Sequence, residues 1–167
     1  MMMMTATDLC LRLGASVVAG MVVGFNREMH AKPVGVRTLG LVGLGAALVT
    51  MAGSGFSPAD TDANASRAIQ GVITGIGFLG AGVIVKGAGK SHVHGMTTAA
   101  AIWVTAALGI ACGLGAYLPV TVGLILLLLL LGIGGRIDRI IDVWWAKKLG
   151  KDTEETEVSR QKGASPD

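Results

Sequence analysis

Five apolar runs, Leu9–Phe25, Thr38–Gly53, Ile69–Val85, Thr97–Gly115 and Ala116–Gly134, take up most of this 167-residue chain and leave only short connections between them. No Asp or Glu lies well inside any of them. A helix crosses a bilayer core of about 30 Å with roughly 20 residues at 1.5 Å each. Most of the runs are slightly shorter, so each is expected to borrow flanking residues, and Thr38–Gly53 can alternatively be a re-entrant or sheltered segment. With 51% hydrophobic and 15% charged residues, the chain has too little polar surface for a small soluble domain. The expected fold is all-α: a polytopic membrane protein of about five transmembrane helices.

The basic residues sort in the same way. Twelve of the fourteen Lys and Arg fall in three regions: Arg27, Lys32 and Arg37; Lys86 and Lys90; and the tail from Arg136. If all five runs span, those regions share one side, while Arg12 and Arg67 belong to the other. The positive-inside bias then places the N-terminus outside and the C-terminus in the cytoplasm. The formal charge of +3 is a topological signal and not a nucleic-acid footprint. Met1–Phe25 lacks the basic start and the small-residue cleavage site of a removable leader, so it is expected to stay on the protein.

Gly75 to Gly82 read Gly-Ile-Gly-Phe-Leu-Gly-Ala-Gly, which satisfies the dinucleotide pattern G-x-G-x-x-G. A phosphate-cradling loop needs a strand before it, a helix after it and an acidic residue about 20 positions on. Here the preceding stretch is Gly/Thr-rich, and the downstream position falls among His92, His94 and Thr97. The motif is therefore read as a helix-packing surface comprising Gly71, Gly75, Gly77, Phe78, Gly80 and Gly82, and no dinucleotide or other cofactor is expected. Small residues also recur every four positions elsewhere: Ser16, Gly20 and Gly24; Gly43 and Ala47; Ala101, Thr105, Gly109 and Gly113. In lipid, helices associate through the close backbone approach that such residues permit. The first four helices are expected to form the compact core. The fifth, Leu- and Ile-rich from Leu124 to Leu131, should face lipid.

Residues 1–135 thus read as the membrane domain. Over 136–151, Ile137, Ile140, Ile141, Trp144 and Trp145 oppose Arg136, Asp138, Arg139 and Asp142, the pattern of a cytoplasmic interfacial amphipathic helix. Residues 152–167 read as a disordered acidic and polar tail.

Few side chains offer chemistry. Arg27 and Arg37 flank the first polar connection, where they can bind a phosphate or carboxylate or simply orient the helices. Glu28 is expected to pair with Lys32 at i,i+4. Arg67 and Gln70 open the third helix, where the Gln70 amide needs a partner. Thr97 and Thr98 open the fourth as caps or as the lining of a polar crevice. Asp60 with Asp62, and His92 with His94, supply too few ligands for a metal site. Cys10 and Cys112 read as buried structural thiols, and no nucleophile–base pair supports an enzyme.

The segments Asn26-Arg-Glu with Lys-Pro-Val-Gly-Val-Arg37-Thr, Arg67-Ala-Ile-Gln70, Thr74 through Ile84, and Gly95-Met-Thr-Thr-Ala-Ala-Ala-Ile-Trp103 resemble the membrane domain of the MgtC/SapB family over approximately Leu9 to Gly134. The resemblance implies a bacterial inner-membrane protein linked to magnesium limitation and, in some pathogens, to survival inside macrophages. The family's namesake is regarded as a modulator of the proton-driven ATP synthase. Transferred by position, the family signatures fall on Arg27, Arg37, Thr38, Arg67, Gln70, Thr97 and Thr98 as a polar site, and on the glycine motif with Trp103. Asn26 departs from the Glu usual there, and the cytoplasmic domain of longer members is replaced by the amphipathic helix and tail. The expected function is non-enzymatic regulation of another membrane protein, with the ATP synthase or a second copy as partner; the alternative is a small ion or solute transporter.

Overall fold

The computed structural model describes residues 4–56, 63–86 and 93–134. Among them are five helices: α1 (Ala6–Met29), α2 (Val36–Gly53), α3 (Ala63–Gly82) and α4 (Met96–Gly113), then α5 (Tyr117–Gly134). The all-helical expectation holds, with one small addition. Two-residue strands β1 (Val85–Lys86) and β2 (Val93–His94) pair antiparallel, Val85 opposite His94, between α3 and α4. The expected amphipathic helix over 136–151 and the tail over 152–167 lie outside the described residues, as do Asp60, Asp62 and His92. The chain divides into compact units Met1–Leu128 and Leu129–Asp167, and the packed helix seams all belong to the first.

Local chemistry sets the helix ends. Thr5 caps α1 by accepting the Asp8 N–H at 3.3 Å, and the helix closes at His30, three residues before Pro33. The first run borrows flanking residues as expected and becomes a 24-residue helix. Thr38–Gly53 lies within one continuous 18-residue helix. Before α4, Gly95 holds φ +99, and a Cβ there would run into the Val83 carbonyl. Only glycine fits both the conformation and the space.

Four helices, α1, α2, α4 and α5, are long and apolar enough to cross a membrane. α3 is not among them, because Asn64, Ser66, Arg67 and Gln70 fill its first two turns. Its apolar portion begins only at Gly71.

α2 and α4 run parallel at the centre. A Cβ added at Gly109 would collide with the Gly43 carbonyl oxygen, and one at Gly113 would stand 2.8 Å from the Ala47 oxygen. α1 runs antiparallel to both. Gly20 lies against Leu39, Gly24 within 2.6 Å of Val36 Cα, and Gly43 within 2.6 Å of the Ser16 oxygen, each measured from an added Cβ. Each approach is backbone against backbone, as small residues allow between helices in lipid. Leu39, Met51, Ile102, Val23 and Thr50 are fully buried around these seams.

α3 packs on the same α2–α4 pair, its Ile69, Val72 and Ile76 covering Ala46, Ala106 and Ile110. Only Ala65 and Gly80 of α3 are buried. α5 exposes nearly all of its surface, touching the core through Val120, Leu127 and Gly123 against Leu108.

Candidate functional site

Two arginines on α1 are buried, and each grips one end of α4. Arg27 Nη2 donates to the Thr98 hydroxyl in the first turn of α4. Arg12 Nη1 donates to the Gly113 carbonyl at its last residue, at 2.9 Å. Both pairs are separated by fifteen positions along their helices (27−12 and 113−98), about 22 Å at 1.5 Å per residue, so the two antiparallel helices are clamped at both ends.

The clamps differ in charge balance. Arg12 has Asp8 one turn away, Nε to Oδ2 at 3.0 Å, and its cation faces the carbonyl end of a helix dipole. Arg27 is 4% exposed and has no carboxylate partner among the described residues, where its Nε, like that of Arg12, makes no hydrogen bond. A guanidinium that is both buried and unpaired is costly, so Thr98 is its principal protein contact. Thr98 therefore does not cap α4; the N-cap is Gly95, without a side-chain bond, and Thr97 is exposed.

Around the α1–α2 connection lies a polar pocket of about 580 Å³ lined by Glu28, Lys32, Gly35, Val36, Arg37 and Thr38. Glu28 does not pair with Lys32 among the described residues. Its Oε2 instead accepts the Val36 N–H at 3.4 Å, at the start of α2. The loop is held by the Arg27 carbonyl, which accepts from both His30 and Lys32 backbone N–H groups. Val34 holds φ +73, a strained conformation for a β-branched residue.

Arg67 and Gln70 lie at the other end of the bundle, where the start of α3 meets the end of α2 through Ala65, Ala68 and Gly53. Both are exposed, and the Gln70 side chain has no hydrogen-bond partner among the described residues. The seven polar residues picked out by sequence thus do not converge. Arg27 and Thr98 touch, Arg37 and Thr38 share the pocket, and Arg67 and Gln70 sit about 20 and about 15 Å of helix from Gly80, which meets α4 near Thr98.

The glycine motif also departs from a simple packing role. Among the described residues, a Cβ added at Gly71, Gly75, Gly77 or Gly82 meets nothing within 4 Å, and of the motif's glycines Gly80 alone faces a neighbour there, Ala99 at 3.6 Å. Phe78 is 88% exposed and Trp103 47%. Gly71 and Gly75 are accordingly not part of the compact core expected of the first four helices. Cys10 is exposed and Cys112 buried, both free, and no metal-binding cluster occurs among the described residues.

Arg12 is the residue that sequence reasoning undervalues. Its signal is Asp8 at i−4, a spacing that marks a helix pair but not the distant carbonyl it serves.

Apolar helices packed through glycine, with charge confined to their ends, define a multi-pass membrane protein. The chain belongs to the MgtC family, whose model matches residues 13–140. It is 39% identical to the protein SrpB of Synechococcus elongatus over 88% of this chain and 91% of that protein. It is 37% identical to the putative magnesium transporter YhiD of Escherichia coli over 78% of this chain, and 38% identical to the protein MgtC of Salmonella typhimurium over 64%. Those matches span 61% of YhiD and 44% of MgtC. No solved structure matches the chain.

Proposed function

We propose that this chain is a non-enzymatic regulator in the bacterial inner membrane, and that the open glycine face of α3 is the surface with which it captures another membrane protein or a second copy. One observation carries the reading. Glycines are used in this bundle where backbones meet, yet Gly71, Gly75 and Gly82, at four- and seven-residue spacing on one face of α3, meet nothing among the described residues. A glycine in a helix interior is destabilising by about 1 kcal/mol relative to alanine. Several of them on an unoccupied face fit a partner that approaches as closely as α2 approaches α4. Family membership favours the ATP synthase as that partner. The charge bias favours an outside N-terminus and a cytoplasmic C-terminus.

The test is a crosslinking pull-down of wild type against Gly75→Leu in native membranes, combined with ATP-driven proton pumping in inverted vesicles. Gly75→Leu should insert normally and lose its crosslinked partner, and wild type alone should lower pumping without raising passive proton leak. Undiminished capture by Gly75→Leu would refute the surface, while unchanged pumping would refute only the partner. Gly80→Leu is a less clean probe, because its added atoms press on Ala99.

A second reading, ion transport, is favoured by the similarity to YhiD, a putative magnesium transporter by name. It requires Mg²⁺ flux in proteoliposomes that falls on Arg37→Ala.

A further inference from the structure

The polar pocket at the α1–α2 connection opens onto two apolar grooves. One, of about 320 Å³, runs between the helices past Val17, Met21, Gly40, Leu41 and Leu44. The other, of about 340 Å³, follows the outer face of α1 past Val18, Val22 and Phe25. Val36 lines all three spaces, Arg37 lines the pocket and the first groove, and Met21 lines both grooves. Arg37 thus borders both the apolar groove and the polar space, the setting in which an arginine at a membrane interface lays its stem along apolar surface and its charge in polar surroundings.

We infer that this composite is a binding site for one anionic phospholipid, with the headgroup phosphate between Lys32 and Arg37 and one acyl chain in each groove. Charge complementarity supports the headgroup. The pocket holds two cations, Lys32 and Arg37, against the single carboxylate of Glu28, which is already engaged by the Val36 N–H. Arginine presents a donor fork that matches phosphate oxygens, and basic pockets between membrane helices commonly take anionic headgroups. The N-cap of α2, Gly35, supplies no side-chain bond, so the first-turn N–H groups other than that of Val36, which Glu28 accepts, reinforce the same preference. The grooves select a lipid over a free anion. Phosphate alone has no use for two apolar channels, whereas a diacyl lipid has one phosphate and two chains. Their walls are membrane-facing, with Val18, Phe25 and Leu41 each more than half exposed.

The site is independent of the α3 face. Native mass spectrometry of the full chain in mild detergent, with phosphatidylglycerol or phosphatidylcholine of identical chains, tests it. Phosphatidylglycerol should be retained preferentially as a single bound lipid. Lys32→Gln and Arg37→Gln should each lower its occupancy about fivefold, the equivalent of about 1 kcal/mol per basic residue near an anionic lipid. Gly40→Leu, whose Cβ meets only the movable Met21 side chain at 3.2 Å and the Val17 carbonyl at 3.9 Å, should fill the first groove and weaken retention of the diacyl lipid. Single-chain lysophosphatidylglycerol should bind more weakly to wild type, a comparison that needs no variant to fold. Gly75→Leu should keep the wild-type preference. Equal retention of phosphatidylcholine, indifference to both charge substitutions, displacement of the lipid by inorganic phosphate at equal concentration, or a lipid-excluding dimer on this face would each overturn the assignment.

Discussion

Glycine does opposite things on the two sides of this bundle. Along the α2–α4 seam, Gly109 and Gly113 face the backbone of Gly43 and Ala47 so closely that a single added methyl would collide with a carbonyl oxygen. On α3, Gly71, Gly75, Gly77 and Gly82 meet no neighbour among the described residues. The same residue at similar spacing therefore marks a completed contact in one region and an uncompleted one in the other. In lipid there is little hydrophobic force between helices, so a small-residue face specifies how near a neighbour can come without specifying which neighbour it is. Only the three-dimensional arrangement of α1, α2 and α4 exhausts one set and leaves the other.

The largest effect should come from reversing the first side of that comparison. Gly109→Leu forces a side chain into the Gly43 backbone, and is expected to destabilise the bundle by more than the roughly 1–3 kcal/mol typical of overpacking, because no side chain can move aside. Loss of monodisperse protein and of helical circular dichroism in detergent would show it. Gly75→Leu, on the other side, should leave the melting temperature unchanged while abolishing crosslinking. Equal thermal damage from the two substitutions would erase the distinction between the seams.

The α1–α4 clamp comes next. Thr98→Val removes the hydroxyl that accepts from Arg27 and should destabilise by about 1–3 kcal/mol, the penalty for leaving a buried donor unsatisfied. Arg27→Met added to Thr98→Val should recover much of that loss, since the buried charge goes with its partner. A double-mutant cycle in chemical unfolding measures this, and strict additivity would show that the two side chains are not coupled. The smallest effect is expected at Val34, where φ is +73. Val34→Gly relieves the left-handed strain and should raise stability by at most about 1 kcal/mol, the remainder being lost to the greater freedom of the unfolded glycine chain. A lowered melting temperature would mean that the Val34 side chain contributes packing that outweighs the strain.

Much of the architecture is legible without coordinates. The five apolar runs become five helices, and the Leu-rich fifth run exposes most of its surface because bulky Leu and Ile leave little room for close approach beyond Gly123 against Leu108. The motif Gly75 to Gly82 lies on a helix and not in a phosphate-cradling loop, since the strand that such a loop requires does not precede it. The polar site is less legible. Sequence proximity links Arg27 with Arg37, whereas the fold buries Arg27 under Thr98 and leaves Arg37 in an open pocket beside Lys32. Glu28 turns from Lys32 to the first N–H of α2, because a helix start offers a carboxylate a partner that the i,i+4 rule does not consider.

The amino-acid order by itself determined that the apolar runs form helices, the approximate place of each along the chain, and the confinement of charge to their ends. Those properties depend on periodicity, length and side-chain size, which are local. The parallel pairing of α2 with α4, the clamping of α4 by Arg12 and Arg27, the separation of Arg67 and Gln70 from the other polar residues, and the open face along α3 were decided by tertiary structure alone. Each of these depends on which small-residue face met which. In a medium where all apolar surfaces are nearly equivalent, that choice is made by shape fitted across helices distant in sequence, and no single segment contains it.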